Sequence, residues 1–420
     1  MHNAGNGSSL STYSRRKRRF LARFLCATTV VLGLAAATSV LSVGASTSRA
    51  STSHSAYSAI DIVPPGARVN YANYQQYAWL YPDAYTHYTR PSGKIKFCES
   101  TFYMGNTFQQ GFEAAYLQEV HAEVRAGVAS PDFILENSNN TTATQISQLQ
   151  SEIESGCDVI VVEPSSATAF CPEFKKAFDA GIIVIANDPV ECNYAITLSF
   201  DVYENSYELA SHLVAGMGYK GNIIEITGVP GVADAATATN ASNAAIAGHP
   251  NLHVVGVYTG DWTASIAQTA TAQWLATHPA TVNGIVDEGA MGVAAETAFA
   301  EAGRPLPKVS LQEGDCQELA FEKLHPSLVT YMTDQAPAPS AYMSMDVALR
   351  MLAGQRPATD TILYPIPGPT AATFNQWWTP SMKVTSSCFA SPKPALPALT
   401  NYLPQFFSGG TAVTSFPQPS

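Results

Sequence analysis

The sequence predicts an α/β protein built from two doubly wound parallel lobes joined by a hinge. Three features predict it. Strand-like and helix-like segments alternate from Lys94 to Ala353, several strands are unbroken apolar runs, and the alternation restarts after Asp201. Unbroken apolar strands are expected where helices cover both faces of a sheet. Two successive βα series give two such sheets.

In order, Lys94–Glu99 reads as a strand, and 106–125 as a helix with Phe108, Phe112, Tyr116, Val120 and Val124 on one face. A strand over 132–136 precedes a helix over 144–155 that carries Ile146, Leu149 and Ile153. Asp158-Val159-Ile160-Val161-Val162 and 182–186 are buried strands separated by a helix over 173–180. The second series runs helix 203–217, strand 222–227, helix 235–247, strand 252–258, helix 265–277 and strand 284–287. It continues with helix 292–302, strand 309–312, helix 318–324, strand 328–333 and a long helix over 340–353. In such sheets, ligands bind beyond the carboxyl ends of the strands, so two facing lobes bring their strand ends to one cleft.

The chain has 420 residues, 46% of them apolar and 13% charged, which fits a folded protein of two or three units. Arg15, Arg16, Lys17, Arg18, Arg19 and Arg23 precede an apolar stretch over 24–43 and then small residues, the pattern of a secretory signal over 1–45. Val43-Gly44-Ala45 is the expected cleavage triplet, with Ser48-Arg49-Ala50 the second choice, and Lys17-Arg18-Arg19-Phe20-Leu21 loosely resembles a twin-arginine export signal. The alternative is an uncleaved anchor, since the stretch approaches the about 20 residues a span needs. Loss of those six positive charges takes the net charge from −11 to −17. So acidic a surface repels phosphate backbones, which excludes nucleic acid as a partner.

Residues 46–93 read as a polar tether followed by a tyrosine-rich extension in which Tyr71, Tyr74, Tyr77, Tyr81, Tyr85 and Tyr88 recur every three or four positions. Pro82 argues against one continuous helix. Packing onto the domain is the expected role, sugar stacking the alternative. Residues 94–200 with 336–360 form the expected first lobe, and 201–335 with 361–390 the second, with Trp377-Trp378 packed on it. Residues 391–420 read as a loose tail, and crossovers fall near Phe200-Asp201, Gln335-Ala336 and Arg356–Thr361.

Six cysteines follow the leader, an even number in an exported chain, which suggests disulfides. Cys171 and Cys192 both fall just after consecutive strands and form the expected pair; buried free thiols are the alternative for Cys98 and Cys157. No spacing matches a zinc site, a GxSxG elbow, HExxH or a phosphate loop, so no cofactor, metal or catalytic residue is expected. A hydrolase using Asp188 and Glu288 as paired carboxylates is the enzymatic alternative.

Four phrases carry a family likeness. They are Asn139-Asn140-Thr141-Thr142-Ala143-Thr144-Gln145-Ile146, Gly156–Pro164 around Asp158-Val159-Ile160-Val161-Val162, Ala180–Asp188, and Gly221–Gly231. In order and spacing they resemble the type I periplasmic binding proteins, specifically the sugar receptors of ABC importers, over residues 94–355. The resemblance implies two Rossmann-like lobes around one ligand, no catalysis, an exported monomer and delivery to an ABC permease. Matched residue by residue, it implies an aromatic stack and polar contacts from Phe102, Asn106 and Phe108, and a hydroxyl-accepting carboxylate at Asp188. It also implies second-lobe and hinge contacts from Glu288, Asp315 and Gln335. Trp262, after a strand, is a further cleft candidate with packing as its alternative.

The sequence departs from the family at two places. Pro189 stands where the family often has Arg, and Ala235, Ala236, Thr237 and Ala238 stand where a helix usually brings Asp and Arg. Both guanidinium forks, which favour densely hydroxylated or anionic ligands, are therefore missing. The expected ligand is a small polar molecule, a sugar or related polyol. A sensor that reports to a membrane signalling partner is the alternative to a transport receptor.

Overall fold

Five parallel pairings fix the first lobe's sheet. A computed structural model describes residues 59–75, 80–82, 84–85, 88–390 and 402–411, all within one unit spanning Ser55–Ser420. The leader and Tyr77 lie outside the described residues. The first series is β1 (Phe97–Thr101), α1 (Thr107–Arg125), β2 (Ile134–Asn137), α2 (Thr142–Glu154), β3 (Val159–Val162), α3 (Cys171–Asp179), β4 (Ile183–Ala186) and β5 (Ile196–Ser199). The second is α4 (Val202–Gly216), β6 (Gly221–Thr227), α5 (Ala233–Ile246), β7 (Leu252–Thr259), α6 (Ala264–Thr277), β8 (Gly284–Asp287), α7 (Gly292–Glu301), β9 (Lys308–Leu311), α8 (Cys316–Leu324) and β10 (Val329–Met332). Then come α9 (Pro337–Leu352), β11 (Arg356–Pro357), β12 (Thr361–Leu363), α10 (Phe374–Trp377) and β13 (Phe407–Ser408).

The first sheet has the order β12-β5-β4-β3-β1-β2 and the second β10-β9-β8-β6-β7, every pairing within them parallel. The centre of each sheet is dry: Val159, Ile160, Val161 and Val162 are each 0% exposed, as fits a strand covered on both faces. On α1, Phe112, Tyr116 and Val120 are buried against this sheet, whereas Phe108, at the helix start, is half-buried. Asn106 caps that helix, its side-chain oxygen accepting from Gln109 N–H at 2.8 Å.

Two strands of the parallel sheets escape the pattern read from the sequence, as does the small β11–β13 pair. β5 and β12 are short, and β12 is not followed by a helix, so no βα rhythm announces it. β12 pairs with β5 in register Thr361↔Thr197 to Leu363↔Ser199. It therefore belongs to the first sheet, and the crossover expected at Arg356–Thr361 instead follows Leu363. Beyond it, Trp377 and partly Trp378 pack into the second lobe's core.

Tyr71 and Tyr85 of the extension pack into the first lobe's core, and their hydroxyls finish the sheet. Tyr71 donates to the Thr361 carbonyl at 2.7 Å and accepts from Leu363 N–H at 2.9 Å, closing the open edge of β12. Tyr402 donates to the Leu363 carbonyl and is itself held by Asn70 at 2.7 Å. Tyr85 accepts from Val184 N–H at 3.0 Å and donates to the Tyr194 carbonyl at 3.0 Å, bridging β4 to the segment before β5. The expected loose tail thus includes an ordered piece: Tyr402, Leu403 and Phe406 are buried in the first lobe's core. An apolar Leu/Phe pair flanked by tyrosine explains why this piece docks.

All six cysteines of the described residues are paired. Cys171–Cys192 forms as expected, Cys316–Cys388 ties the C-terminal stretch to α8, and Cys98–Cys157 replaces the free thiols considered for those two positions. Cys98 on β1 and Cys157 just before β3 sit on neighbouring strands, with Cα atoms 6.1 Å apart, within disulfide reach. No helix among the described residues is long and apolar enough to cross a membrane.

Candidate functional site: a carboxylate-lined crevice between the lobes

The strand ends of both sheets face a crevice between the lobes, where ligands of such sheets bind. The first lobe contributes Phe102 and the start of α1, with Asn106, Phe108 and Gln109, together with Asp188 beyond β4 and Phe200 beyond β5. The second contributes Asp234 and Ala238 from α5, Trp262 after β7, Glu288 and Ala290 after β8, and Gln312 and Glu313 after β9. Gln335, on the crossover between β10 and α9, completes the wall.

The lobes touch beside this crevice. Phe102 lies edge-on to Trp262 with ring centroids 6.4 Å apart, and Tyr103 meets the Thr263 hydroxyl at 3.4 Å. The loop that delivers Trp262 is strained: Asp261 and Trp262 have φ of 53° and 50°, and Ala290 has 57°. Side chains other than Gly, Asn and Asp seldom adopt this region, and such residues concentrate at binding sites. The Trp262 indole N–H then donates to the Glu288 carbonyl at 3.0 Å.

Glu288 is fixed from both sides. Its Oε2 accepts from Gly228 N–H at 2.7 Å, and its Oε1 accepts from the Thr239 hydroxyl. Burial pushes its carboxyl up to about 7, against the pull of those two hydrogen bonds. An amide relay lies beside it, in which Asn205 donates to Gln312 at 3.2 Å and Gln312 donates to Gln335 at 2.6 Å. Glu313 is 5% exposed, and its Oε2 has no hydrogen-bond partner. Burial, reinforced by the charges of Asp315, Asp287 and Asp334, holds it well above the ordinary carboxylate range.

Asp188 and Asp234, one from each lobe, are in hydrogen-bond contact. Burial raises both, and the Asp234 charge raises Asp188 further, while the bond from Asp188 restrains Asp234 at about 6. Two bare carboxylates in contact repel, so the pair gives up its protons less readily than two separate aspartates would.

Six of the seven residues singled out in the sequence, Phe102, Asn106, Phe108, Asp188, Glu288 and Gln335, come together on the crevice wall. Asp315 does not. It caps α8, accepting from Glu318 N–H at 2.8 Å, and its backbone bridges Phe389. The Asp-x-x-Glu spacing of Asp315 and Glu318 is itself a capping signature. Glu313, two residues nearer the end of β9, takes the wall position instead. Asp234, in the first turn of α5 just ahead of Ala235 and Ala236, is a wall residue that no sequence motif marks. Trp262, for which packing was the alternative, lines the crevice.

Two parallel α/β lobes whose strand ends close on one polar crevice are the architecture of a bilobal binding protein. The chain belongs to the periplasmic binding protein domain family, which it matches over residues 102–356. The xylitol-binding protein of Mycolicibacterium smegmatis is 27% identical over 176 residues, 41% of this chain and 50% of that protein, so the chain spans half the length of that relative. The D-ribose/D-allose-binding protein of Pseudomonas aeruginosa is 25% identical over 224 residues, 51% of this chain and 70% of that protein. An ABC transporter solute binding protein from Thermobispora bispora superposes with a TM-score of 0.63 at 24% identity, covering 68% of this chain and 88% of that one. One from Bacillus halodurans with bound myo-inositol gives 0.59 at 19%, covering 68% and 98%. At these identities the two structures establish the fold.

Proposed function

We propose that this protein is an exported solute-binding receptor that captures a small hydroxylated ligand, a sugar or polyol, between its lobes and presents it to an ABC permease. The observation that carries the reading is the origin of the crevice wall. Acceptors and amides from both sheets, Asp188 and Asn106 on one side and Glu288, Glu313 and Gln312 on the other, converge on one enclosed space. A ligand that bonds to both sides stabilises the closed arrangement over an open one by its differential contacts.

Aromatic Phe108 and Trp262 offer apolar faces for the C–H side of a sugar ring, while carboxyls and amides accept and donate to its hydroxyls. The relatives named for xylitol and for ribose and allose support this class of ligand. In this reading the receptor does no chemistry of its own, and Gly228 and Thr239 hold Glu288 as part of the wall.

A thermal-shift screen over xylitol, ribose, allose, myo-inositol, other sugars, polyols, nucleosides and amino acids tests the proposal. A ligand that binds only the folded state raises the midpoint by mass action. A rise of several degrees for one hydroxylated compound, without turnover on incubation, is expected. No rise from any of them, or release of product from a glycoside, overturns it.

A further inference from the structure

We propose that the ligand carries a protonated amine beside its hydroxyls, an amino sugar or amino-polyol, with the ammonium seated between Asp188 and Asp234; this refinement rests on the receptor reading above.

The wall holds four carboxyls, Asp188, Asp234, Glu288 and Glu313, and no lysine, arginine or histidine. Burying a carboxylate without a counter-charge is costly, and proteins meet that cost with a cation or a retained proton. The four carboxyls are not equivalent. Glu288 already has both oxygens occupied by Gly228 and Thr239, so it positions the wall.

Two of the other three keep an oxygen without a donor. Oδ1 of Asp234 and Oε2 of Glu313 are buried without a hydrogen-bond partner, and Glu313 is 5% exposed. Asp188 and Asp234 approach from opposite lobes into direct contact, where a shared proton or a cation must offset their charges. An alkylammonium has three N–H donors and no acceptor, and it can bond both aspartates at once. A cation seated there bonds a carboxylate of each lobe at once, so the cation itself favours closure.

The carboxyls do not gather as metal ligands do: among the described residues no three His, Cys, Asp or Glu side chains group closely enough to hold a metal ion. Phe102 and Trp262 line the same space, and aromatic residues favour a neighbouring cation. A neutral ligand would leave Asp234 and Glu313 either protonated or uncompensated.

Calorimetric titrations at pH 7 with matched pairs decide it: glucosamine against glucose, galactosamine against galactose, mannosamine against mannose, and 1-amino-1-deoxysorbitol against sorbitol. In at least one pair the amine is expected to bind tenfold or more tightly than its neutral partner, and Asp234→Asn is expected to erase that preference. Neutral members that bind as well as or better than the amines overturn the ammonium site and leave the receptor reading intact. Heat from no pair, together with a silent thermal-shift screen, removes both. A screen that finds a neutral ligand outside these pairs overturns this inference alone.

Discussion

Gly228 lies so close to the indole of Trp262 that a methyl group at that Cα would stand 2.1 Å from the ring. Backbone at the end of β6 thus leaves the room that Trp262 occupies, and Gly228 N–H also holds Glu288. Gly228→Ala must push the indole out of the crevice. The expected result is a loss of ligand affinity of about tenfold or more, near 1.4 kcal/mol, with the far-ultraviolet circular dichroism unchanged. Calorimetry on the wild type and the variant checks it, and equal affinities would count against Trp262 as part of the wall.

Asp188→Ala removes the first-lobe half of the carboxyl pair. Loss of a charged hydrogen-bond partner costs about 1.5–3 kcal/mol, so ligand binding should weaken by about 10- to 100-fold. The compound returned by the screen, titrated into folded variant, is the measurement; an unchanged dissociation constant sinks the assignment.

Stability should fall as pH rises. Glu163 and Glu296 are buried, and burial pushes both up to about 8 from the ordinary 4.5, while Glu225 rises to about 7 for the same reason. A carboxyl raised in the folded state binds its proton more tightly there than in the unfolded chain. Its contribution is complete below the unfolded value of 4.5 and is lost as pH climbs through the folded value near 8. Each unit of difference is worth about 1.4 kcal/mol. Thermal midpoints should therefore be higher at pH 5 than at pH 8, and Glu163→Gln should flatten the decline. A midpoint that climbs toward pH 8 contradicts this.

Tyr71→Phe deletes one hydroxyl that serves two backbone groups on β12. Leaving buried backbone groups unpaired costs about 1–3 kcal/mol each. Urea unfolding should show a lower midpoint with little change in slope; an unaltered midpoint would mean that water replaces the hydroxyl.

Replacing Cys316 and Cys388 by serine opens a loop of sequence separation 72. Chain entropy alone puts the loss at about 4 kcal/mol. Limited proteolysis should then cut the C-terminal stretch before the lobes unfold, whereas the intact bond keeps it docked beside Asp315.

The lobes were legible because their signals are local. The run Val159–Val162 and the spacing of Phe112, Tyr116 and Val120 each report burial without reference to the rest of the chain. β12 was not legible, because three residues make a strand only when β5 offers an edge and Tyr71 covers the other side. The tyrosine-rich segment showed its aromatic content but not its task, since hydroxyls that mend a sheet edge leave no periodic trace. At the site, residues directly after strands were found. Glu313 was passed over for Asp315, because both follow β9 and only the capping bond to Glu318 tells them apart. Asp234 went unseen because its partner, Asp188, lies far off in the sequence and on the other lobe.

Each of the three covalent staples joins cysteines of a single lobe, and none bridges the crevice. Oxidation therefore hardens either half against unravelling without welding the halves shut. A protein stapled this way can be toughened by its surroundings and still breathe. A reducing agent should shorten its working life long before it alters how readily it opens.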